Sequence, residues 1–226
     1  MYFNFYKKNL LLIPLLLLFL ISCAAFPTNI ANNFNQTFKA FKNLIYGYED
    51  YPITQSLVKQ IPYASLRMKI GKGPAGLLIL ESQSENSSTW VSADDIFIIL
   101  KEGRIIRAEG LPNNLTDFLS SEPSFKEIIN KDDTGEVYRY ISLDTPEVSN
   151  LKLSVTYKKG GHEEVSILDH KRTLLLIEER VGNSYIRWEY TNKYWVDEKT
   201  GYVWQSLQMI APNLPPISIQ ITKKPS

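Results

Sequence analysis

The sequence predicts an all-β fold: an antiparallel meander closed into a barrel or sandwich, preceded by an N-terminal amphipathic helix and carrying one or two short helices. Three observations point there. Leu151, Leu153, Val155 and Tyr157 alternate with Lys152, Ser154, Thr156 and Lys158, the period of two that a half-buried strand requires. Short apolar runs recur between turn residues, as where Lys101-Glu102-Gly103-Arg104 separates residues 96–100 from Ile105, Ile106 and Ala108. The 13 Tyr, 10 Phe and 4 Trp suit a pleated surface, and also a surface that stacks on sugars.

The first element is a targeting segment. Lys7 and Lys8 precede an apolar run over 10–21 that only Pro14 interrupts. As a helix this run rises about 18 Å, short of the ~30 Å hydrocarbon core of a bilayer. Residues 1–22 therefore read as a signal peptide and not as a transmembrane helix. The run ends in Leu20-Ile21-Ser22-Cys23, which resembles a bacterial lipobox. The resemblance implies a diacylglycerol thioether on Cys23, cleavage before it, and an N-acyl chain such as palmitate on the new terminus. Cys23 is the single cysteine, so no disulfide partner competes for it. One acyl chain binds a membrane only marginally, whereas several hold it firmly. Ala24 follows where an Asp would signal inner-membrane retention, so the expected location is the outer membrane, with the domain facing the periplasm. No cofactor beyond this covalent lipid is expected.

Residues 23–50 read as the lipidated cysteine, a short tether and a docking helix. Phe34, Phe38, Phe41 and Ile45 recur at four, three and four residues, one stripe of a helix, with Asn35, Lys39 and Lys42 elsewhere on its circumference. Residues 51–226 read as one β domain. Removing residues 1–22 leaves 23 basic against 24 acidic side chains, and this near-neutrality argues against a nucleic-acid partner.

Within the domain, residues 77–80 and 96–100 read as strands, and Gly103 is the turn residue that takes positive φ. Residues 114–121 read as helical, as do residues 124–130. The strand over 151–157 is expected to close at Gly160-Gly161, with His162 at a turn and a new strand from Val165. Pro212, Pro215 and Pro216 shape a loop before a last strand carrying Ile217, Ile219 and Ile221.

Several segments taken together resemble the YjbF family of lipoproteins, which includes the lipoprotein of group 4 capsule polysaccharide operons. They are Ile61-Pro62-Tyr63-Ala64-Ser65, Gly73-Pro74, Trp90-Val91, Gly103-Arg104-Ile105-Ile106 and Gly110-Leu111. Near the C-terminus they are Trp188, Asn192, Tyr194-Trp195-Val196-Asp197, Gly201, Gln205-Ser206 and Gln208. The likeness runs from about Tyr51 to Lys224 and is loosest over 120–180. It implies a barrel-like fold and an accessory role in capsule or exopolysaccharide assembly or export, through binding polysaccharide or docking other export proteins. It implies no catalytic residues. The segment 194–201 also resembles, faintly, an outer-membrane lipoprotein acceptor, which keeps open a lipid or lipoprotein carrier with an open β-barrel.

No catalytic or metal-ligating set is legible. His162 and His170 are the two histidines, and Asp169 and His170, adjacent on a strand, would face opposite ways. Asp94-Asp95 and Glu178-Glu179 read as solvated carboxylates; glycoside chemistry would need such groups set apart in a cleft. The candidate glycan-binding residues are Trp188, Tyr190, Tyr194, Trp195, Tyr202 and Trp204, crowded with Tyr185 into twenty residues. The competing expectation for the same rings is burial in a core ladder.

Overall fold

The computed structural model describes residues 52–131 and 134–225; the expected signal peptide, Cys23 and docking helix lie outside the described residues. A helix, α1 (Gln55–Gln60), leads into strands β1 (Ser65–Ile70), β2 (Ala75–Gln83), β3 (Ser87–Val91), β4 (Phe97–Lys101), β5 (Arg104–Glu109) and β6 (Leu115–Ser120). After helix α2 (Phe125–Asn130) come β7 (Val137–Asp144), β8 (Glu147–Ile167), β9 (His170–Asn183), β10 (Trp188–Val196), β11 (Val203–Gln208) and β12 (Ile217–Lys223). Each strand pairs antiparallel with its neighbour in sequence, and β12 pairs with β1 to close a barrel. The expected all-β meander is the observed fold, and of its two forms it is the barrel.

Two segments fold otherwise than their local pattern predicts. Residues 115–120 form strand β6 and no helix, because pairing with β7 outweighs the local pattern. Gly160-Gly161 does not end a strand: both lie inside the 21-residue β8, at a register shift between Lys159 and His162. A bulge bends a strand without terminating it. The actual turn follows Ile167, where Leu168 takes a φ of 52°. Gly103 does adopt positive φ, at 84°.

Eight strands enclose an interior that side chains just fill, so twelve need additional filling. One part is apolar, with Leu66, Leu78, Trp90, Ile98, Leu153 and Ile217 among the residues removed from solvent. The proline loop before β12 turns inward and adds Ile210, Ala211 and Leu214. Elsewhere α2 supplies Phe125 and Ile128, packed on Leu175, Ile177, Tyr194, Val196 and Val203. Ser124 and Glu127 form a capping box that satisfies the first free N–H groups of this short helix. The weakest seam in the wall is between β5 and β6, joined by the one pair Ala108–Leu115.

Candidate functional site

Strand β10 carries four of the six candidate rings, and its alternation sorts them. Trp188, Asn192, Tyr194 and Val196 are buried, and Tyr190, in step with them, packs its ring 4.7 Å from that of Trp188. Tyr194 is fully covered and lies 4.7 Å from the Phe125 ring of α2. Trp188, Tyr190 and Tyr194 thus belong to the interior, while Trp195 takes the opposite face.

The interior beside Tyr194 is charged. Glu179, on β9, has no exposed surface and accepts hydrogen bonds from Arg139 Nη2 at 2.8 Å, Asn192 Nδ2 at 2.7 Å, and Arg104 Nε and Tyr194 Oη at 3.3 Å each. Glu122, before α2, accepts from Arg139 Nε at 2.6 Å and Arg139 Nη2 at 2.7 Å, and from Ser120 Oγ at 2.7 Å. The Arg104 guanidinium covers the Phe125 ring at 4.0 Å and donates to Tyr157 Oη and to the carbonyl of Pro123. Gln208 joins the wall to this network: its Oε1 accepts from Ile105 N at 2.9 Å, on the weakly paired edge of β5.

Two guanidinium groups thus balance two carboxylates. Burial alone would raise the Glu122 acid, but the Arg139 hydrogen bonds and charge, with Arg104 and Tyr157, bring its pKa down to about 2. Burial alone would ease deprotonation of Arg104 and Arg139, yet the surrounding Glu and Tyr groups hold both above the ordinary range. Burial, then the Glu179 charge, pushes the Tyr157 and Tyr194 phenols up. The space left among these residues is about 10 Å³, too little for a ligand. The network is a fully engaged structural core.

On the outside, the end of the β8–β9 hairpin lies over β10, β11 and β12 as an arm. Val165, Ile167 and Leu174 form a satellite cluster with Trp195 and Trp204. Trp195 Nε1 donates to Glu163 at 2.7 Å, and the Arg172 guanidinium sits 3.7 Å above the Trp204 ring. These two candidate rings are covered in part by the chain's own arm.

Tyr202 is placed differently, at a groove of about 370 Å³ on one rim of the barrel. The groove is lined by the β2–β3 turn, Glu102 and Gly103, the start of α2, residues 200–203, and Lys224 near the C-terminus. The Tyr202 ring meets Trp204 edge-on at 5.1 Å, with the exposed Lys224 ammonium 4.4 Å from its centre. The structure therefore divides the candidate cluster three ways: interior rings, arm-covered rings, and one rim ring.

Other chemistry-bearing residues do not assemble. His162 is exposed and meets Glu198 at 3.1 Å; His170 opens β9 at the hairpin turn, opposite Ile167. Asp94 and Asp95 sit in the exposed β3–β4 turn. Among the described residues no three His, Cys, Asp or Glu side chains are grouped to hold a metal ion. Glu179 departs from the solvated reading, and a signal for it existed: Leu175, Ile177 and Val181 share its parity on the strand. Arg104, Asn192 and Gln208 stood among the residues of the family resemblance, but nothing local marked Glu122 or Arg139 as their partners.

Residues 38–222 match the family model described as Group 4 capsule polysaccharide lipoprotein gfcB, YjbF, a match that begins inside the segment expected to form the docking helix. The chain is similar to the uncharacterized lipoprotein GfcB of Escherichia coli (strain K12), at 23% identity over 215 residues, 94% of this chain and 97% of that one. It is 21% identical over 211 residues to the uncharacterized lipoprotein YjbF of the same organism, covering 92% of this chain and 95% of the relative. The crystal structure of the hypothetical lipoprotein YmcC from Escherichia coli (K12) superposes with a TM-score of 0.67 at 22% identity, over 77% of this chain and 90% of that one. At that identity the likeness establishes the fold alone.

Proposed function

Because this chain belongs to the YjbF family of group 4 capsule polysaccharide lipoproteins, a membrane-anchored family of the cell envelope, we propose that it is a non-enzymatic accessory protein of capsule or exopolysaccharide assembly and export. It is held in the outer membrane by diacylglycerol and N-acyl lipid on Cys23, with the barrel in the periplasm. There it binds glycan or docks other export proteins.

The observation that carries this reading is the family match over residues 38–222. The barrel adds support of a physical kind. The buried carboxylates Glu122 and Glu179 are committed to Arg104 and Arg139, which leaves neither free as a general acid or base. A carrier of lipid or lipoprotein needs an open apolar cavity, and the interior beside Tyr194 is filled instead.

Deleting the gene and measuring surface and intracellular polysaccharide tests the proposal. The expected result is reduced surface polysaccharide, restored by the wild-type gene. Unchanged amounts in both compartments would overturn it.

A further inference from the structure

We infer that the rim groove beside Tyr202 is a binding subsite for a short stretch of polysaccharide, with a pyranose ring stacked on Tyr202 and its hydroxyls held by the β2–β3 turn. The inference rests on the glycan-binding form of the proposed function and gives that function a place.

About 370 Å³ falls within the range of sites that hold small ligands or a few units of a chain, and an open groove lets a polymer continue past it. Its walls are tied by hydrogen bonds on both sides. At the β10–β11 turn, Asp197 Oδ1 accepts from Thr200 N and Thr200 Oγ1 at 2.9 Å each, and Gly201 N donates to the Asp197 carbonyl at 2.8 Å. Lys126 Nζ ties α2 to the same turn through the Lys199 carbonyl at 2.6 Å. Across the groove, Ser84 N donates to the Ser87 carbonyl at 2.8 Å, and the two serine hydroxyls pair at 2.8 Å. Walls set in this way lose little freedom when a ligand arrives.

Chemistry selects the ligand class. Gln83 and Asn86 are exposed on the groove, and no side chain among the described residues engages their amides. Amides and hydroxyls beside one aromatic face match the hydroxyl rim and C–H face of a pyranose. Fixed charge does not converge on one sign: Glu85 is an exposed carboxylate of the β2–β3 turn, Glu102 lies 3.7 Å from Arg104, and Lys126 is committed to carbonyls. An anion-binding site would instead present convergent free cations. The one cation over the ring, Lys224, is solvent-exposed and held weakly enough for a sugar to displace. Trp195 and Trp204 lie partly beneath the arm, and Trp188, which lines a separate groove of about 570 Å³, is itself buried, so Tyr202 is the half-buried candidate ring that meets a groove.

Full-length mature lipoprotein, purified in detergent, is titrated calorimetrically with surface polysaccharide isolated from the strain that makes it. Saturable binding is expected. Tyr202→Ala should weaken it about tenfold or more, and Tyr202→Phe, which keeps the ring, by a factor of about three or less. The double variant Gln83→Ala/Asn86→Ala, confined to exposed side chains, should weaken it severalfold at an unchanged melting temperature, and so covers the case in which Tyr202→Ala fails to fold. Wild-type binding that Tyr202→Ala and the double variant both leave intact overturns the subsite while leaving glycan binding standing. No binding by the wild type overturns both, and returns the function to protein docking.

Discussion

Arg139 grips Glu122 with two nitrogens, Nε at 2.6 Å and Nη2 at 2.7 Å, inside the barrel. The same Nη2 reaches Glu179 at 2.8 Å, so one guanidinium ties the segment before α2 to strand β9. A planar fork of donors suits this double duty; a lysine ammonium could not reproduce it.

Arg139→Met should therefore destabilise the protein strongly, by about 3 to 5 kcal/mol, because two buried carboxylates lose their shared partner. Urea denaturation reads the change. In Arg139→Met/Glu122→Leu the two costs should fall short of additive, since the second substitution removes a charge that the first left stranded. Strict additivity would mean that the contact contributes nothing specific.

Acid should act through the same pair. The Glu122 carboxyl is depressed from 4.5 to about 2 in the folded protein, so its contribution is fully present above pH 4.5. It is lost as pH falls from there through about 2, and amounts to roughly 3 kcal/mol. Glu122→Gln should flatten that part of the stability–pH curve. A variant curve parallel to wild type between pH 4.5 and 2 would contradict the assignment.

Gly103→Ala should cost roughly 1 to 3 kcal/mol, because φ there is 84° and the added Cβ would lie 2.5 Å from Val203 Cβ. Combining it with Val203→Ala should recover the steric share and leave the backbone share. Thermal melting checks both; an unchanged midpoint in Gly103→Ala would show that the turn relaxes freely.

Trp195 should govern the arm. Trp195→Phe removes the indole N–H that Glu163 accepts, a contribution of about 1 kcal/mol. Amide exchange should then accelerate over residues 162–174 and stay unchanged in the interior of β10. Equal protection in the arm would show that the satellite cluster alone holds it down.

Period and turn chemistry made much of the barrel legible. Residues 151–157 and 217–221 alternate as their strands do, and Gly103 turns where expected. Helix α2 carried its capping box openly in Ser124 and Glu127. Beta strand 115–120 was hidden because its identity depends on pairing with β7, a long-range contact that leaves no local mark. Gly160-Gly161 misled for a related reason: glycine pairs serve bulges as readily as turns, and the partner strand decides which. The six candidate rings were visible as a cluster, but their faces were not, because the arm covering Trp195 and Trp204 exists only in three dimensions.

The central claim, that a lipid-anchored barrel serves surface polysaccharide, is tested most directly by exchanging one atom. The deletion strain is complemented with wild type or with Cys23→Ser at matched protein level, and surface polysaccharide is measured alongside membrane fractionation. The account predicts that wild type restores the polysaccharide from the membrane fraction, whereas Cys23→Ser is unprocessed or soluble and fails to restore it. A Cys23→Ser protein that leaves the membrane yet restores full surface polysaccharide would contradict it.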